Sequence, residues 1–371
     1  MASDVKPFGG AETFLQLLAE RLDPRDFAPR VVVPRHGPLV DRLRARDIPV
    51  DLIPLSRLRD LARLPQFLRS LDRTGIRLIN AHGVRAGFFS ALARTRRPLR
   101  VAVTEHNLQD WRRHRALRAL DGLIARHNDM RIAVSQAVHD DMISSGVCAP
   151  GMVQVIYLGV ETERYRPDAA RRARARERFA IGADEAAVVA AGRLAPMKGF
   201  IDLVEAAPAV VARVPRARII IAGDGEERAR LRARIDAIGV GASVSLAGYV
   251  QDMPELMAAA DVFVLPSVEL PGSPREGLPV VIMEALASGC AVVTTAVSGN
   301  SEIVEDGVNG RIVAQHDPAA LADAIAGILA DPDRARMGEN GRRIAVERFD
   351  LDRSVRQHAE LFIHLIESPR D

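Results

Sequence analysis

Four charged side chains in the second half of the sequence have the types and spacing of a site that binds anions and hydroxyl groups. Arg193 and Lys198 stand in a short loop that follows an apolar run and opens a helix. Two cations beside a helix N-terminus suit a phosphate or a diphosphate. Glu276 and Glu284 have seven residues between them, and Glu284 lies in an apolar helix, where an unpaired carboxylate is costly to bury. Hydroxyl groups of a ligand would satisfy that carboxylate.

Lysine is scarce in this chain, which makes the position of each lysine informative. Of the 51 basic residues only Lys6 and Lys198 are lysine, and the other 49 are arginine. Over most of the surface this bias is most simply a property of the genome. At Lys198, however, a compact ammonium offers an anion a point charge that the planar fork of arginine does not imitate. We therefore interpret Lys198 as part of the phosphate site.

Two further features follow predicted strands but identify a site less clearly. The turn Gly223-Asp224-Gly225-Glu226-Glu227-Arg228 is similar to a dinucleotide-binding fingerprint that lacks its third glycine, so a helix cap explains it as well as a ligand site does. His82 and His106 each come directly after a strand of the first half. A lone histidine is more often structural than catalytic, and of the two we favour His106 as a site residue.

The elements that must position these side chains alternate between strands and helices. Short β-branched runs predict strands at 30–33, 50–54, 77–81, 100–104, 131–134 and 153–157, and again at 187–191, 218–222, 243–247, 261–266, 291–295 and 310–313. Amphipathic stretches predict helices at 11–22, 38–46, 58–72, 85–94, 112–127, 136–145, 169–178 and 351–366. A helix that starts at Pro279 and stops at Gly289 would carry Glu284. The sequence therefore predicts an α/β protein with two doubly wound, Rossmann-like domains.

One strand is missing from the first of these two series. A doubly wound unit begins with a strand that feeds its Gly-rich turn, yet Met1–Phe8, which precedes Gly9-Gly10, contains a single β-branched residue. Without that strand the sheet of the first domain would lack a central member. We expect the missing strand to be encoded upstream of Met1.

The charge is distributed unevenly along the chain. Residues 1–165 contain 26 basic and 18 acidic residues, whereas residues 166–371 contain 25 and 30. A basic half suggests an anionic partner, and 15 aromatic residues provide few stacking platforms for nucleic acid, so we expect an anionic membrane surface and no nucleic acid. No stretch predicts a membrane span or a signal peptide, and Cys148 and Cys290 form neither a disulfide framework nor a zinc pair. We expect a cytoplasmic location, peripheral at the inner face of the membrane.

Taken in order, the motifs resemble those of retaining glycosyltransferase family 4, whose members have the GT-B fold. Glu276 and Glu284 match its E-x7-E signature. Other matching pieces occur in the same order along nearly the whole chain, at Gly9-Gly10-Ala11-Glu12, Val134-Ser135, 155–167, 192–199, Gly223-Asp224-Gly225, 261–267 and 299–310. Each piece is common, but their combined order is specific for the family and much less specific for the sugar.

The resemblance implies a GT-B architecture, in which two doubly wound Rossmann-like domains face a central cleft. The expected domains are an acceptor-side domain at 1–158 and a nucleotide-sugar-binding domain at 159–349. A C-terminal helix at 350–371 packs either on its own half or back on the first domain, and periodicity does not decide between the two. The implied activity is that of a retaining hexosyltransferase. Such an enzyme would move a sugar from a UDP- or GDP-sugar to a lipid-linked or polysaccharide acceptor in cell-surface polysaccharide biosynthesis.

The resemblance also implies roles for individual residues. Arg193 and Lys198 would hold the donor diphosphate and stabilise charge on the leaving group. Glu276 would contact the donor sugar and Glu284 the ribose hydroxyls, while His106 would lie near the sugar; with Arg193, Lys198 and Glu276 it would make up the catalytic set. The other implied donor-binding residues are Gly9, Gly10, Gly223, Tyr249, Val250, Gly277 and Leu278, with Gly10 near the phosphates and the backbone of Tyr249-Val250 near the base.

No metal or cofactor is expected. Other glycosyltransferases hold a divalent metal on an Asp-x-Asp motif, and two side-chain cations can replace it. The Asp-x-Asp matches here, Asp331–Asp333 and Asp350–Asp352, fall at predicted helix junctions and are interpreted as caps.

Three departures from the family pattern leave alternatives open. The first strand is missing, Tyr157-Leu158-Gly159 stands where the family usually has Pro-Asn-Gly, and residues 270–275 lengthen the loop before Glu276. A sugar-nucleotide epimerase of the GT-B fold and a catalytically inactive partner subunit of a polysaccharide complex therefore remain as alternatives. A nicotinamide-dependent oxidoreductase is disfavoured because neither Gly-rich turn is complete, and a P-loop kinase because Lys198 lacks the required preceding glycine.

Overall fold

The computed structural model describes residues 9–55, 58–272 and 275–369, which form two compact units. Unit 1 comprises the described residues up to Gly159, those within 272–278, and those from Asp352 onward. Unit 2 comprises Val160–Pro271 and Pro279–Leu351. The predicted missing strand concerns Met1–Phe8, and these residues, with Lys6 among them, lie outside the described part of the chain.

Strands and helices alternate through both units. The strands are β1 Val31–Val33, β2 Val50–Leu52, β3 Leu78–His82, β4 Arg100–Glu105, β5 Asn107–Leu108, β6 Met130–Ala133, β7 Val153–Val155, β8 Ala186–Ala191, β9 Ala217–Ala222, β10 Val244–Gly248, β11 Val262–Leu265, β12 Arg275–Glu276, β13 Ala291–Thr295 and β14 Gly310–Val313. The α-helices are α1 Gly10–Arg21, α2 Pro38–Arg44, α3 Leu64–Thr74, α4 Val84–Arg94, α5 Arg115–Ala125, α6 Gln136–Ser144, α7 Ala169–Arg178, α8 Phe200–Arg213, α9 Arg228–Ala237, α10 Met253–Ala259, α11 Val280–Ala287, α12 Asn300–Ile303, α13 Pro318–Ala330, α14 Arg334–Arg348 and α15 Leu351–Glu367. Short 3₁₀ turns occupy Leu58–Arg63, Asp110–Arg113, Pro150–Met152 and Pro196–Lys198.

The predicted α/β class with two Rossmann-like domains is confirmed, and each predicted strand is present to within two residues. Two helix predictions were too long. The segment predicted as 58–72 begins as a 3₁₀ turn, and its α-helix starts only at Leu64, because Pro65 has no N–H to continue an earlier helix but fits the first turn of a new one. The segment predicted as 112–127 is interrupted at His114, whose backbone is extended and begins α5 as its N-cap.

The sheet of unit 2 is parallel and has the order β10-β9-β8-β11-β13-β14. Numbered within the unit, this is the 3-2-1-4-5-6 order of a dinucleotide-binding fold. β8, β11 and β13 are almost wholly buried and consist mainly of valine and alanine, as strands covered on both faces require. The order reverses between β8 and β11, which is where such sheets open a ligand crevice at their carboxyl ends.

In the described part of unit 1 the longer strands form two parallel sheets, β1-β2 and β3-β4-β6-β7. Val32 of β1 and Ile79 of β3 pack against the same apolar cluster, which includes Phe67 of α3. On another cluster α15 packs Phe362 and its neighbours against Ile132 of β6. β5 and β12 form a further, two-residue antiparallel pair. None of the described helices is long and apolar enough to cross a bilayer.

Candidate functional site

Three loops meet at the carboxyl edge of the unit 2 sheet. Residues 192–199 follow β8, residues 223–225 follow β9, and residues 266–268 follow β11. They flank the reversal point of the strand order, and the N–H of Val268 joins two of them by donating to the carbonyl of Met197 at 2.9 Å. The sequence therefore folds its Gly-rich and cationic segments to the edge where ligands of this fold bind.

Two glycines let these loops approach one another. Gly199 has a left-handed backbone with φ of 64°, and a Cβ there would lie 1.9 Å from the carbonyl oxygen of Pro266. Gly223 has φ of 134°, and its Cβ would lie 1.8 Å from the carbonyl oxygen of Gly192. Both positions exclude a side chain, because no Cβ tolerates a backbone oxygen at that distance. Gly223, predicted as a donor-binding residue, thus has a packing role in the loop edge.

Lys198 and Arg193 differ in how firmly the structure holds them. Lys198 ends the 3₁₀ turn and is only 8% exposed, and its Cε would lie 3.6 Å from a Cβ placed on Gly192. Arg193 is exposed, and one guanidinium nitrogen lies 3.8 Å from the sulfur of Met197. The buried ammonium of Lys198, just before α8, and the exposed guanidinium of Arg193 in the same loop can together hold an anion with two oxygens.

Unpartnered polar atoms also gather at this edge. Within the described part of unit 2, the buried side-chain atoms without a hydrogen-bond partner are Nη1 of Arg228, Oγ of Ser267 and Oγ of Ser298. Ser267 follows β11, Ser298 follows β13, and Arg228 begins α9 after the turn that leaves β9. Buried polar atoms are normally paired, so such a group of exceptions indicates a place for polar ligand atoms. The sequence analysis did not identify these three side chains as site residues.

Glu284 on α11 already has a protein partner. The hydroxyl of Tyr165 donates to its Oε1 at 2.6 Å, a partner that the sequence analysis did not identify when it expected ligand hydroxyls to satisfy this carboxylate. Burial raises the pKa of Glu284, although the Tyr165 hydrogen bond acts in the opposite direction, and burial also raises the pKa of Tyr165 well above its usual value. α11 begins at Val280, with Pro279 as N-cap rather than as the first helical residue, because Pro279 has an extended ψ of 104°.

The segment after β10 places an aromatic side chain in solvent. Tyr249 is 57% exposed, whereas Val250 is buried at 9%. Nη1 of Arg228 lies 3.7 Å from the position that a Cβ of Gly248 would occupy, so this guanidinium lies beside the same segment. An exposed ring and an unpartnered guanidinium nitrogen can together receive a planar, polar ring system.

In unit 1, His106 ends a chain of four hydrogen-bonded side chains. The Thr104 hydroxyl donates to Oδ1 of Asn80 at 2.9 Å, and Nδ2 of Asn80 lies 3.2 Å from Nε2 of His82. Because an amide nitrogen can only donate, Nε2 of His82 accepts, and its Nδ1 donates to Nε2 of His106 at 2.9 Å. The proton of a neutral His106 therefore lies on Nδ1, which is buried and has no hydrogen-bond partner among the described residues.

Both histidines are held neutral by their surroundings. Burial lowers the pKa of His106 to about 4 and that of His82 well below its usual value, and their neighbour His358 on α15 lowers both further. Burial likewise lowers the pKa of His358 to about 4. The structure thus brings His82, which the sequence analysis favoured less, into direct contact with His106.

A buried ionic cluster fixes the chain on either side of His106. Arg131 on β6 contacts Glu105 at 3.1 Å and Asp121 at 2.7 Å. Arg112 contacts the same two carboxylates at 3.3 and 2.9 Å, and Asp141 on α6 at 2.9 Å. Glu105, Arg112, Asp121 and Arg131 are each no more than 2% exposed. Such charges are stable in the interior only when they are paired, so these pairs order the segment 105–112.

That segment holds Glu276 and Gly277, which also belong to unit 1. β12 pairs with β5 so that Glu276 lies opposite Asn107, and the N–H of Gly277 donates to the carbonyl of His106 at 3.0 Å. Beside this pair Arg275 contacts Asp110 at 3.4 Å. Leu278 is buried at 3%. The structure therefore brings the predicted residues His106, Glu276, Gly277 and Leu278 together.

The other predicted residues are distributed as follows. Gly9 and Gly10 lie at the start of α1 in unit 1, where Glu12 accepts the N–H of Gly9 at 2.9 Å. Arg193, Lys198, Gly223, Tyr249, Val250 and Glu284 belong to unit 2. Among the described residues no cluster of three histidine, cysteine or acidic side chains could hold a metal ion. Asp331 and Asp333 lie at the junction of α13 and α14, with Asp333 at the N-cap position.

Two Rossmann-like units, one of which carries Lys198 and Arg193 at the reversal point of its sheet, define a protein of the GT-B fold class. Sequence profiles identify the family. The profile described as "Glycosyltransferase Family 4" matches residues 8–164, and the profile described as "Glycosyl transferases group 1" matches residues 171–344. The chain belongs to glycosyltransferase family 4.

Individual relatives agree with this assignment. The GDP-mannose-dependent α-(1-6)-phosphatidylinositol monomannoside mannosyltransferase of Mycolicibacterium smegmatis is 37% identical over 207 residues, which are 55% of this chain and 54% of the relative. The chain thus spans about half the length of that relative. The UDP-Gal:α-D-GlcNAc-diphosphoundecaprenol α-1,3-galactosyltransferase of Escherichia coli is 23% identical over 94% of this chain and 92% of the relative. The structure of Anabaena HepE in complex with UDP-glucose superposes with a TM-score of 0.84 at 27% identity, covering 98% of each chain.

The contact between Gly277 and His106 leaves no room for a side chain. A Cβ at Gly277 would lie 2.5 Å from the carbonyl oxygen of His106 and 2.6 Å from Cγ2 of Val138, so we expect Gly277→Ala to separate β12 from β5. Overpacking of this kind typically costs about 1–3 kcal/mol. The free energy of unfolding in urea measures it. Gly151→Ala is the matched control, because a Cβ there meets nothing within 4 Å, and equal stability of the two variants would contradict this packing.

Three histidines with lowered pKa values, His82, His106 and His358, predict a loss of stability on mild acidification. Their pKa values are lower in the native state than in the unfolded state, so the native state binds fewer protons between pH 4 and 6.5. Stability is therefore full above about pH 6.5 and falls as the pH falls below it. We expect the urea midpoint to decrease from about pH 7 to about pH 5, above the range in which most carboxylates titrate.

His358→Phe should make this decrease less steep, because one proton fewer is taken up on unfolding. The new ring would stand between Phe14 and Phe362, whose ring centroids lie 5.4 and 5.9 Å from that of His358. Identical pH slopes for the wild type and the variant would show that His358 is not held neutral in the folded protein.

Proposed function

We propose that this chain transfers a sugar from a nucleotide-sugar donor to an acceptor hydroxyl, with retention of the anomeric configuration. The observation that carries the proposal is the carboxyl edge of the unit 2 sheet, where the buried Lys198, the exposed Arg193 and unpartnered buried polar atoms flank the reversal point of the strand order. Such an edge suits a ligand that is anionic at one end and rich in hydroxyl groups elsewhere, as a nucleotide sugar is.

In this proposal the cations of the β8 loop serve the leaving group. Glycosyl transfer passes through a state with oxocarbenium character, and a nucleoside diphosphate departs with negative charge. Lys198 and Arg193 would hold the diphosphate and neutralise that charge as it develops, which is the task a metal ion performs elsewhere. Lys198 is the better preorganised of the two, because it is buried in its loop whereas Arg193 is exposed.

The nucleoside would be bound by the carboxylate of α11 and the segment after β10. Glu284 would accept hydrogen bonds from the ribose hydroxyls while the Tyr165 hydroxyl keeps its carboxylate in place. The backbone of Tyr249-Val250 would meet the base, and Nη1 of Arg228 would donate to a ring acceptor. Uracil and guanine both offer carbonyl oxygens to such a donor.

Residues of unit 1 would act on the donor sugar and the phosphates. Glu276 and His106 would contact the sugar, and their common support is the hydrogen bond from the Gly277 N–H to the His106 carbonyl. A neutral His106 with its proton on Nδ1 would donate a hydrogen bond rather than carry charge. Gly9 and Gly10 would let the start of α1 approach the phosphates. We assign no covalent nucleophile.

The printed activities of two relatives support a proposal for the classes of donor and acceptor. Two of them use GDP-mannose and UDP-galactose, and their acceptors are a phosphatidylinositol mannoside and a sugar linked to diphosphoundecaprenol. We infer a UDP- or GDP-sugar donor and a lipid-linked or saccharide acceptor, with a role in cell-surface polysaccharide biosynthesis. An enzyme with these substrates would work in the cytoplasm at the inner face of the membrane.

A panel of UDP-, GDP- and ADP-sugars in a thermal-shift assay tests the donor site. A ligand present at about 100 times its Kd stabilises by about 2.7 kcal/mol, which raises the melting temperature by roughly 5 °C in a protein of this size. We expect one class of UDP- or GDP-sugar to produce this shift without added metal. Glu284→Ala and Lys198→Met should abolish it, and Tyr165→Phe should reduce it because the carboxylate loses its anchor.

Arg232→Ala is the matched control for lost positive charge, because Arg232 is an exposed arginine of α9. It should keep the full shift. Equal stabilisation of the wild type and Glu284→Ala would refute the role given to Glu284, and an equal loss in Lys198→Met and Arg232→Ala would refute that of Lys198.

A further inference from the structure

Two neighbouring strands of unit 1 bring four polar side chains together. Asn80 and His82 are two residues apart at the end of β3. Thr104 and His106 are two residues apart at the end of β4 and just beyond it. Residues at this spacing lie on one face of a strand, and β3 pairs with β4 so that His82 lies opposite Thr104. We name these four side chains the polar series.

The hydrogen bonds of the polar series run in one direction, which Thr104 determines. Thr104 is fully buried, so its hydroxyl hydrogen needs an acceptor, and Oδ1 of Asn80 at 2.9 Å is that acceptor. The amide nitrogen of Asn80 is thereby turned toward Nε2 of His82, at 3.2 Å, where it can only donate. Nδ1 of His82 then carries the ring proton and donates to Nε2 of His106 at 2.9 Å.

His106 is held at two separate points. The ring centroids of His82 and His106 lie 5.1 Å apart and the ring planes are inclined by 21°, as two imidazoles joined edge to edge require. At the main chain, the carbonyl of His106 accepts from the N–H of Gly277 at 3.0 Å. Because the side chain and the backbone have different partners, His82 can be replaced without removing the backbone contact beside Glu276.

Both ring nitrogens of His106 are therefore assigned. Nε2 accepts from His82, whereas Nδ1 carries the proton and is buried without a hydrogen-bond partner among the described residues. A buried donor is normally paired, so this N–H is available to an acceptor oxygen of a ligand. Burial lowers the pKa of His106 to about 4, which keeps the ring neutral. A neutral ring without a free lone pair cannot act as a general base.

We infer that His82 is a positioning residue of the proposed transfer reaction and acts through His106. By donating to Nε2 of His106, it fixes the tautomer and the ring orientation in which Nδ1–H meets an oxygen atom of the donor sugar. Asn80 and Thr104 set the direction of that donation. The inference rests on the proposed function for the identity of the ligand, whereas the tautomer is a property of the free protein.

Nitrogen NMR of the free protein tests the tautomer without any ligand. Histidine rings are isotope-labelled and observed at about pH 8, well above the usual histidine pKa, where chemical shifts distinguish protonated from unprotonated ring nitrogens. His82→Phe identifies the signals of the missing ring. In the wild type we expect the proton of both His82 and His106 on Nδ1.

Asn80→Asp should reverse the polar series by exchanging one amide donor for a carboxylate oxygen, which can only accept. Burial lowers the pKa of His82 well below its usual value, so this ring stays neutral and its proton moves to Nε2. Nδ1 of His82 then accepts, and the proton of His106 moves to Nε2 as well. The same NMR spectrum measures both changes.

Release of UDP or GDP from the nucleotide sugars of the thermal-shift panel tests the role in transfer. His82→Phe keeps a ring but cannot donate to His106, so we expect kcat to fall about tenfold, which corresponds to one hydrogen bond. Binding of free UDP or GDP should be unchanged, because Lys198 and Glu284 belong to unit 2. His127→Phe is the matched control, since His127 is an exposed histidine of unit 1 outside the polar series, and it should keep the wild-type rate.

The single tryptophan separates positioning from a general loss of structure. Trp111 lies in the segment 105–112, where its Nε1 donates to Oε1 of Gln109 at 2.8 Å. Its fluorescence emission should be the same in the wild type, in His82→Phe and in Asn80→Asp. The wild-type tautomer needs no variant, so it decides the inference even where a substitution disturbs folding.

Three results would overturn the inference. They are a wild-type His106 protonated on Nε2, an Asn80→Asp variant in which the proton of His106 stays on Nδ1, and a His82→Phe variant that releases nucleotide as fast as the wild type. A wild type that releases nucleotide from no sugar of the panel would count against the proposed function instead. The ring protonation of the free protein would then still decide whether His82 orients His106.

Discussion

The interior of unit 1 depends on buried charged side chains that are stable there only as partners of one another. Glu105, Arg112, Asp121 and Arg131 are withdrawn from water, and each would be costly to bury without the others. Asp141 completes the group from α6 at a more accessible position. These pairs join the end of β4, the following 3₁₀ turn, β6, α5 and α6.

This ionic cluster supports two neighbouring parts of unit 1. Toward the sheet edge, it fixes the backbone around His106. The carbonyl of His106 accepts a hydrogen bond from the N–H of Gly277, which holds the adjacent Glu276 in place. Away from the edge, it attaches α5 by Asp121, which leaves the leucines of that helix free to face outward. The proposed contact with the donor sugar and the outward orientation of the α5 leucines thus have the same anchor. Unit 2 has no comparable cluster among its described residues, and its edge is built instead from glycine-mediated loop contacts around β8.

The sequence was sufficient for whatever depends on local pattern. Strands such as β8 and β13 are predictable because their β-branched and small residues form runs between turn signals, and the residues after them then fall at one sheet edge by topology alone. This is why the sequence predicts that Lys198 lies at the carboxyl edge of the second sheet. The pairing of Tyr165 with Glu284 could not be predicted, because 119 positions separate the two residues and no single motif contains both. β5 and β12 were missed because two-residue strands have no periodicity, and the ionic cluster because its partners come from five separate elements.

The central claim is that this chain is a retaining transferase, and the configuration of its first product tests that claim most directly. The nucleotide sugar that binds is incubated with the enzyme and a lipid-linked acceptor, and the anomeric proton of the product is followed by NMR from the start of the reaction. The account predicts a new glycosidic signal with the same anomeric configuration as the donor sugar. A first product of inverted configuration would contradict it, as would conversion of the donor into an epimeric nucleotide sugar or binding of the donor without turnover.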